Sequence, residues 1–102
     1  MVNTNFLRIP MHMLLYNVQD IDAYEGLPPR NADLLWTEYN EEEIRNLVEA
    51  LQFAADNPSF DFAALMPEIE QPNHKIYLFL CKILASIRAA MARRTSGPAE
   101  IG

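Results

Sequence analysis

The sequence predicts an all-α fold, a compact bundle of three main helices plus one short helix around an apolar C-terminal helix. Three observations carry this expectation. Apolar residues recur at helical spacing in separate stretches. Asn40 and Glu43 form a capping pattern at the head of one of them. Only three glycines interrupt a chain whose residues are 50% apolar, so long helices are not broken from within.

The first stripe is Met11, Leu14, Leu15, Val18 and Ile21, with Pro10 where a first helical residue tolerates proline. The run 11–16 is also compatible with extended chain. Gly26, followed by Leu27 and Pro28, is expected to stop this helix. Residues 27–31, with Pro28-Pro29, read as a loop. Residues 32–36 read as a short turn that drops Leu34, Leu35 and Trp36 onto the core.

The next helix carries the clearest signal. Asn40 stands three residues before Glu43, and Tyr39 and Ile44 are spaced for a hydrophobic staple. Glu41, Glu42 and Glu43 suit the positive end of the helix dipole. The helix is expected to reach Asp56, with Ile44, Leu47, Val48, Leu51, Ala54 and Ala55 inward, and to end at Asn57-Pro58. A short helix capped by Ser59 is expected before Pro67. Asn73 is the expected cap of the last helix, over residues 74–94.

That last helix is apolar nearly all round. Ile76, Leu80, Ile83, Ile87 and Met91 share one side at about 100° per residue, and Leu78 and Ala85 lie on another. Lys75, Lys82 and Arg93 form a narrow stripe that wants water. Such a helix is the central one that the others wrap, or else half of a dimer interface. The central reading gives a monomer, with a homodimer as the alternative. Residues 1–94 are expected to form one domain and residues 95–102 a disordered tail.

Charge is unevenly spread over a net −6. Residues 1–72 hold three arginines against thirteen carboxylates, a balance of −10, and residues 73–102 hold five cations against one carboxylate, +4. The acidic part repels nucleic acid, which is bound through lysine and arginine on phosphates. It either attracts a basic protein partner instead or serves only to keep the protein soluble. No apolar run is long enough for a bilayer, and no signal segment opens the sequence, so the expected setting is the cytoplasm without membrane attachment.

No catalytic apparatus is legible. His12, His74 and Cys81 lack metal-ligand spacing, so neither metal nor other cofactor is expected, and His74 and Cys81 read as a helix-start and a small core residue. No Gly-x-Ser-x-Gly turn or phosphate loop occurs. The paired carboxylates lie at helix ends and in loops rather than in apolar pockets. The basic end at Arg88, Arg93 and Arg94 complements a helix dipole. A non-enzymatic binding role is the expectation.

The candidate surface lies on helix 40–56. Phe53 falls opposite the inward stripe, and its helical neighbours there are Glu42, Asn46, Glu49 and Asp56. A large aromatic ringed by carboxylates has the anatomy of an anchor and rim. The alternative is that the N-terminal segment or residues 27–38 cover Phe53. Phe60 and Asp61, in the turn that follows, are the reserve surface.

Residues 41–94 resemble the second half of the small bacterial immunity proteins that neutralise colicin-type nucleases. The resemblance rests on punctuation. Asn57-Pro58-Ser59 opens a segment that closes at Pro67, and a final helix follows. Leu65-Met66 stand where that family carries adjacent tyrosines, and the family's Trp-Arg and Gly-rich ending of the last helix has no counterpart here. The resemblance implies an acidic helical inhibitor. Glu42, Glu49 and Asp56 would then play the part of the acidic face that meets a toxin.

Overall fold

A computed structural model describes residues 2–16, 18 and 20–101, with side chains to Arg94. Its order is a 3-10 turn Thr4–Leu7, α1 Arg8–Tyr16, α2 Pro29–Glu38, α3 Glu41–Asp56, a 3-10 turn Phe62–Leu65, and α4 Asn73–Ile101. No strand occurs among the described residues. The all-α bundle is therefore the fold. The last helix, expected over residues 74–94 with a disordered tail at 95–102, instead continues as helix to Ile101.

α4 is the central element. It packs against α1, α2, α3 and the second 3-10 turn. Ile76, Leu80, Ile83 and Ile87 are buried on the expected side, and Phe79, Leu84 and Ala90 are buried as well. Met91, assigned to that same side, is 38% exposed and borders a cavity that Trp36, Ile44 and Val48 also line. Leu78 is 51% exposed on the other side. Cys81 is half-buried rather than a core residue. No helix of the described residues is long and apolar enough to cross a membrane.

α3 follows its sequence signals closely. The Asn40 side chain accepts from the Glu43 N–H at 2.8 Å, and the Glu43 carboxylate accepts from the Asn40 N–H at 3.0 Å. These reciprocal bonds satisfy donors that a helix start leaves open. Ile44, Leu47, Ala50, Leu51 and Ala54 are buried, and Val48 and Ala55 are packed at the margin.

Four expectations need correction. The first helix ends at Tyr16 and not near Gly26. It is led in by a 3-10 turn that Asn3 caps through a bond from the Asn5 N–H at 3.0 Å. Ile21 is still buried, but from a turn in which Asp20 accepts from the Asp22 N–H at 3.1 Å. Gly26 has another task. Its φ is +117°, and a Cβ there would meet the Ser86 hydroxyl at 2.5 Å. The loop thus lies directly on α4, where the Leu27 N–H donates to that hydroxyl at 2.8 Å.

The turn expected at 32–36 is the ten-residue helix α2. Pro28 and Pro29 open it, because a proline in the first turn loses no internal hydrogen bond. Ala32 is buried, and Leu35 and Trp36 pack beside it at helical spacing. Leu34 turns off that face and is 45% exposed, not core.

The short helix capped by Ser59 is instead a four-residue 3-10 turn that follows Asp61. Asn73 does not cap α4, of which it is the first residue. Its side-chain amide donates to the Phe60 carbonyl at 2.7 Å and accepts from the Phe62 N–H at 2.9 Å. It supplies the backbone partners that a longer helix would have made for itself.

The capping box gives a direct stability test. Asn40→Ala should lower the unfolding free energy by about 1 kcal/mol in urea melts. A change within error would place the start of α3 elsewhere.

Candidate functional site

The outer face of α3 carries Glu42, Asn46, Glu49, Phe53 and Asp56 at spacings of three and four, so they form one stripe. Glu42, Glu49 and Asp56 are exposed, and Asn46 is half-buried. Asp56 accepts from the Gln52 amide at 3.1 Å, and Arg88 donates to the oxygen of the same amide. Glu49 also borders a cavity of about 470 Å³ with Arg45, Trp36 and Arg94. The guanidinium of Arg94 lies 4.6 Å from the centre of the Trp36 ring, a cation–π contact.

Phe53 is half-buried and not the open anchor expected. What covers it is the turn after α3. The Asn57 side chain donates to the Phe53 carbonyl at 2.8 Å, its N–H donates to the Ala54 carbonyl, and the Phe60 N–H donates back to the Asn57 carbonyl. This reversal sets the Phe60 ring 5.3 Å from Phe53, edge to face at 84°. Phe60 in turn lies 5.2 Å from Phe62, and Phe62 6.4 Å from Tyr77. An aromatic ladder therefore runs from the outer face of α3 to the fully buried Phe62. The structure so brings together Phe53 and Phe60, which the sequence had offered as separate surfaces. Asp61 follows Phe60 and is exposed.

The cations of α4 are engaged within the molecule. Lys75 pairs with Asp22 at 2.8 Å and Arg93 with Asp33 at 3.2 Å. Lys82 donates to the Tyr24 carbonyl at 2.7 Å, Arg88 to Gln52, and Arg94 lies on Trp36. The stripe of Lys75, Lys82 and Arg93 thus binds the loop and α2 to α4 in addition to meeting water. Among the described residues no three His, Cys, Asp or Glu side chains converge as metal ligands do.

A second feature was not legible in the sequence. A cavity of about 590 Å³ opens between α1, Val18 with residues 20–28, α2 and α4. Leu34 lines its mouth, which accounts for the exposure of that residue. No motif announces such a space, because it arises where four elements meet without filling it. Tyr24 stands in its wall, 4.9 Å from the Phe79 ring, with a buried hydroxyl that has no partner among the described residues. Burial pushes this phenol above its ordinary value of 10.0. Tyr77, whose hydroxyl donates to the Ala55 carbonyl at 3.2 Å, is also raised, first by the neighbouring Cys81 side chain and then by burial and by Asp56.

Comparison of the chain with protein-family models, with curated proteins and with solved structures returns no match.

Two outcomes follow for these rings. Phe53→Ala should cost about 1 kcal/mol through the lost edge-to-face pair, yet leave a folded protein by circular dichroism and urea melt. Tyr24 binds its proton more tightly when folded because burial penalises its ionised form, so folding stability does not depend on this group below pH 10.0 and falls as pH rises from there through the folded pKa. Urea melts of wild type should weaken above that pH, and Tyr24→Phe should weaken less. Removing the orphaned hydroxyl should leave stability at pH 7 equal or higher. An equal alkaline loss in both proteins would show that Tyr24 is not the titrating group.

Proposed function

We propose that this protein is a small acidic protein-binding inhibitor, an immunity or antitoxin-like protein that blocks a basic toxin or nuclease by occlusion. One observation carries the reading. The lysines and arginines of α4 are each engaged by a neighbouring element, while Glu49 and Asp56 stand exposed on either side of Phe53 along α3, Asp61 follows Phe60, and Glu42 lies farther along the same face. The surface offered there is negative at its rim and aromatic at its centre, which suits a basic partner with an apolar recess. Its mechanism needs no cofactor, because covering a basic site both shields it and repels its anionic substrate. The resemblance of residues 41–94 to immunity proteins points the same way, as do the small size and the acidity. The protein acts as a monomer in the cytoplasm on this account.

Capture from native host lysate tests it, with wild-type protein and single variants as bait and mass spectrometry as the readout. The account expects a basic protein that is retained at low salt and released as salt rises. Anchors commonly cost 2 kcal/mol or more when truncated, so Phe53→Ala should weaken capture by roughly 30-fold. Glu49→Lys should slow association most at low salt. Retention of the same partner at wild-type strength by both variants would remove this face from consideration.

The exposure of Leu78 favours a second reading, an adaptor that homodimerises or docks through its last helix. Sedimentation at micromolar concentration separates the two. A monomer fits the inhibitor, and a tight dimer dissolved by Leu78→Glu fits the adaptor.

A further inference from the structure

The cavity between α1, α2 and α4 is apart from the α3 face and is built differently. Its volume of about 590 Å³ lies in the range of small-molecule sites, commonly 300–1,000 Å³. Its floor is apolar, with Leu47 from α3 and Ile83 and Ile87 from α4. Met13, Leu27 and Leu35 make its walls. A space of this size lined by aliphatic side chains favours an apolar guest, since filling it removes apolar surface from water on both partners.

The rim adds a sign to that preference. Among the described residues, Asp20 and Glu38 are the carboxylates that line the cavity, both are exposed, and no lysine, arginine or histidine lines it. Nearby cations are already engaged. Lys82 donates to the Tyr24 carbonyl, Lys75 pairs with Asp22, and Arg93 pairs with Asp33. A guest with an anionic head, such as a fatty acid, would meet two like charges and find no counter-ion. A guest with a cationic head meets two opposite charges at the point where its head must leave the apolar floor.

We propose that this cavity binds a small cationic amphiphile, an apolar body carrying an ammonium or related cation that rests between Asp20 and Glu38. The site goes beyond the inhibitor reading and shares none of the residues assigned to the α3 face. Its failure would leave that reading standing.

The full-chain protein, labelled with ¹⁵N, can be titrated with n-octylamine hydrochloride, octanoate, 1-octanol and ethylamine at neutral pH, all below micelle formation. Octylamine should give saturable amide shifts at Ala23, Leu27, Leu35 and Ile83, with an affinity at least about tenfold above that of octanoate. Ethylamine has the charge without the tail and should leave those amides unshifted. The double variant Asp20→Asn, Glu38→Gln should bring octylamine and octanol to similar affinities. Ala23→Trp should occlude the cavity and abolish the shifts at Ile83. Wild-type titrations decide the matter even if that tryptophan variant does not fold. Octanoate binding as tightly as octylamine overturns the proposal. So does an octylamine response that merely follows ethylamine over the acidic surface, or the absence of saturable shifts at these amides.

Discussion

Almost every arrangement in this structure answers one constraint: α4 is apolar on most of its circumference and must be covered on most of its sides. No single neighbour can do this. α3 covers one side, α1 and α2 another, and the second 3-10 turn closes the entry end. The cations interspersed along α4 are not left to water alone, although Arg88, Arg93 and Arg94 are exposed. Each also reaches an adjacent partner, and in doing so Lys82 and Lys75 fasten the loop before α2 while Arg93 fastens α2 itself. The ion pairs are half-exposed, so each adds little to stability. Their consequence lies in charge placement. The cations of α4 lie against carboxylates, carbonyl oxygens, the Gln52 amide and Trp36, and the acidic residues of the α3 face stand exposed.

The parts legible in the sequence were those specified by local chemistry. α3 could be read almost to the residue, since the Asn40–Glu43 box, the triple carboxylate and the Asn57-Pro58 stop are all contained within the helix and its flanks. The buried stripe of α4 was equally plain from its period. The misread elements depend on partners remote in sequence. Gly26 looked like a helix stop, but its conformation serves contact with Ser86. Asn73 looked like a cap, but it binds the backbone at Phe60 and Phe62. Pro28-Pro29 looked like a loop, yet the same residues are compatible with a helix start, and only the packing of α2 against α4 decides between them.

The candidate surface follows the same division. Helical geometry alone placed Glu42, Asn46, Glu49, Phe53 and Asp56 on one outward stripe of α3. It did not show that the chain reversal at Asn57 would lay Phe60 against Phe53, so the exposed anchor became a half-buried pair tied to the core. That change favours recognition. A ring held by Phe60 loses less side-chain freedom on binding than a free one, which lowers the entropic cost of complex formation. The large cavity was invisible for a complementary reason, since a void is a property of four elements together and leaves no mark on any one of them.

Native-state hydrogen exchange tests the central place of α4 most directly. If the other elements wrap it, the amides of Leu80, Ile83, Leu84 and Ile87 should be the slowest in the protein and should exchange only through global unfolding, with a free energy equal to that from urea melts. Slow exchange confined to α3, with these α4 amides opening well below the global free energy, would contradict the account.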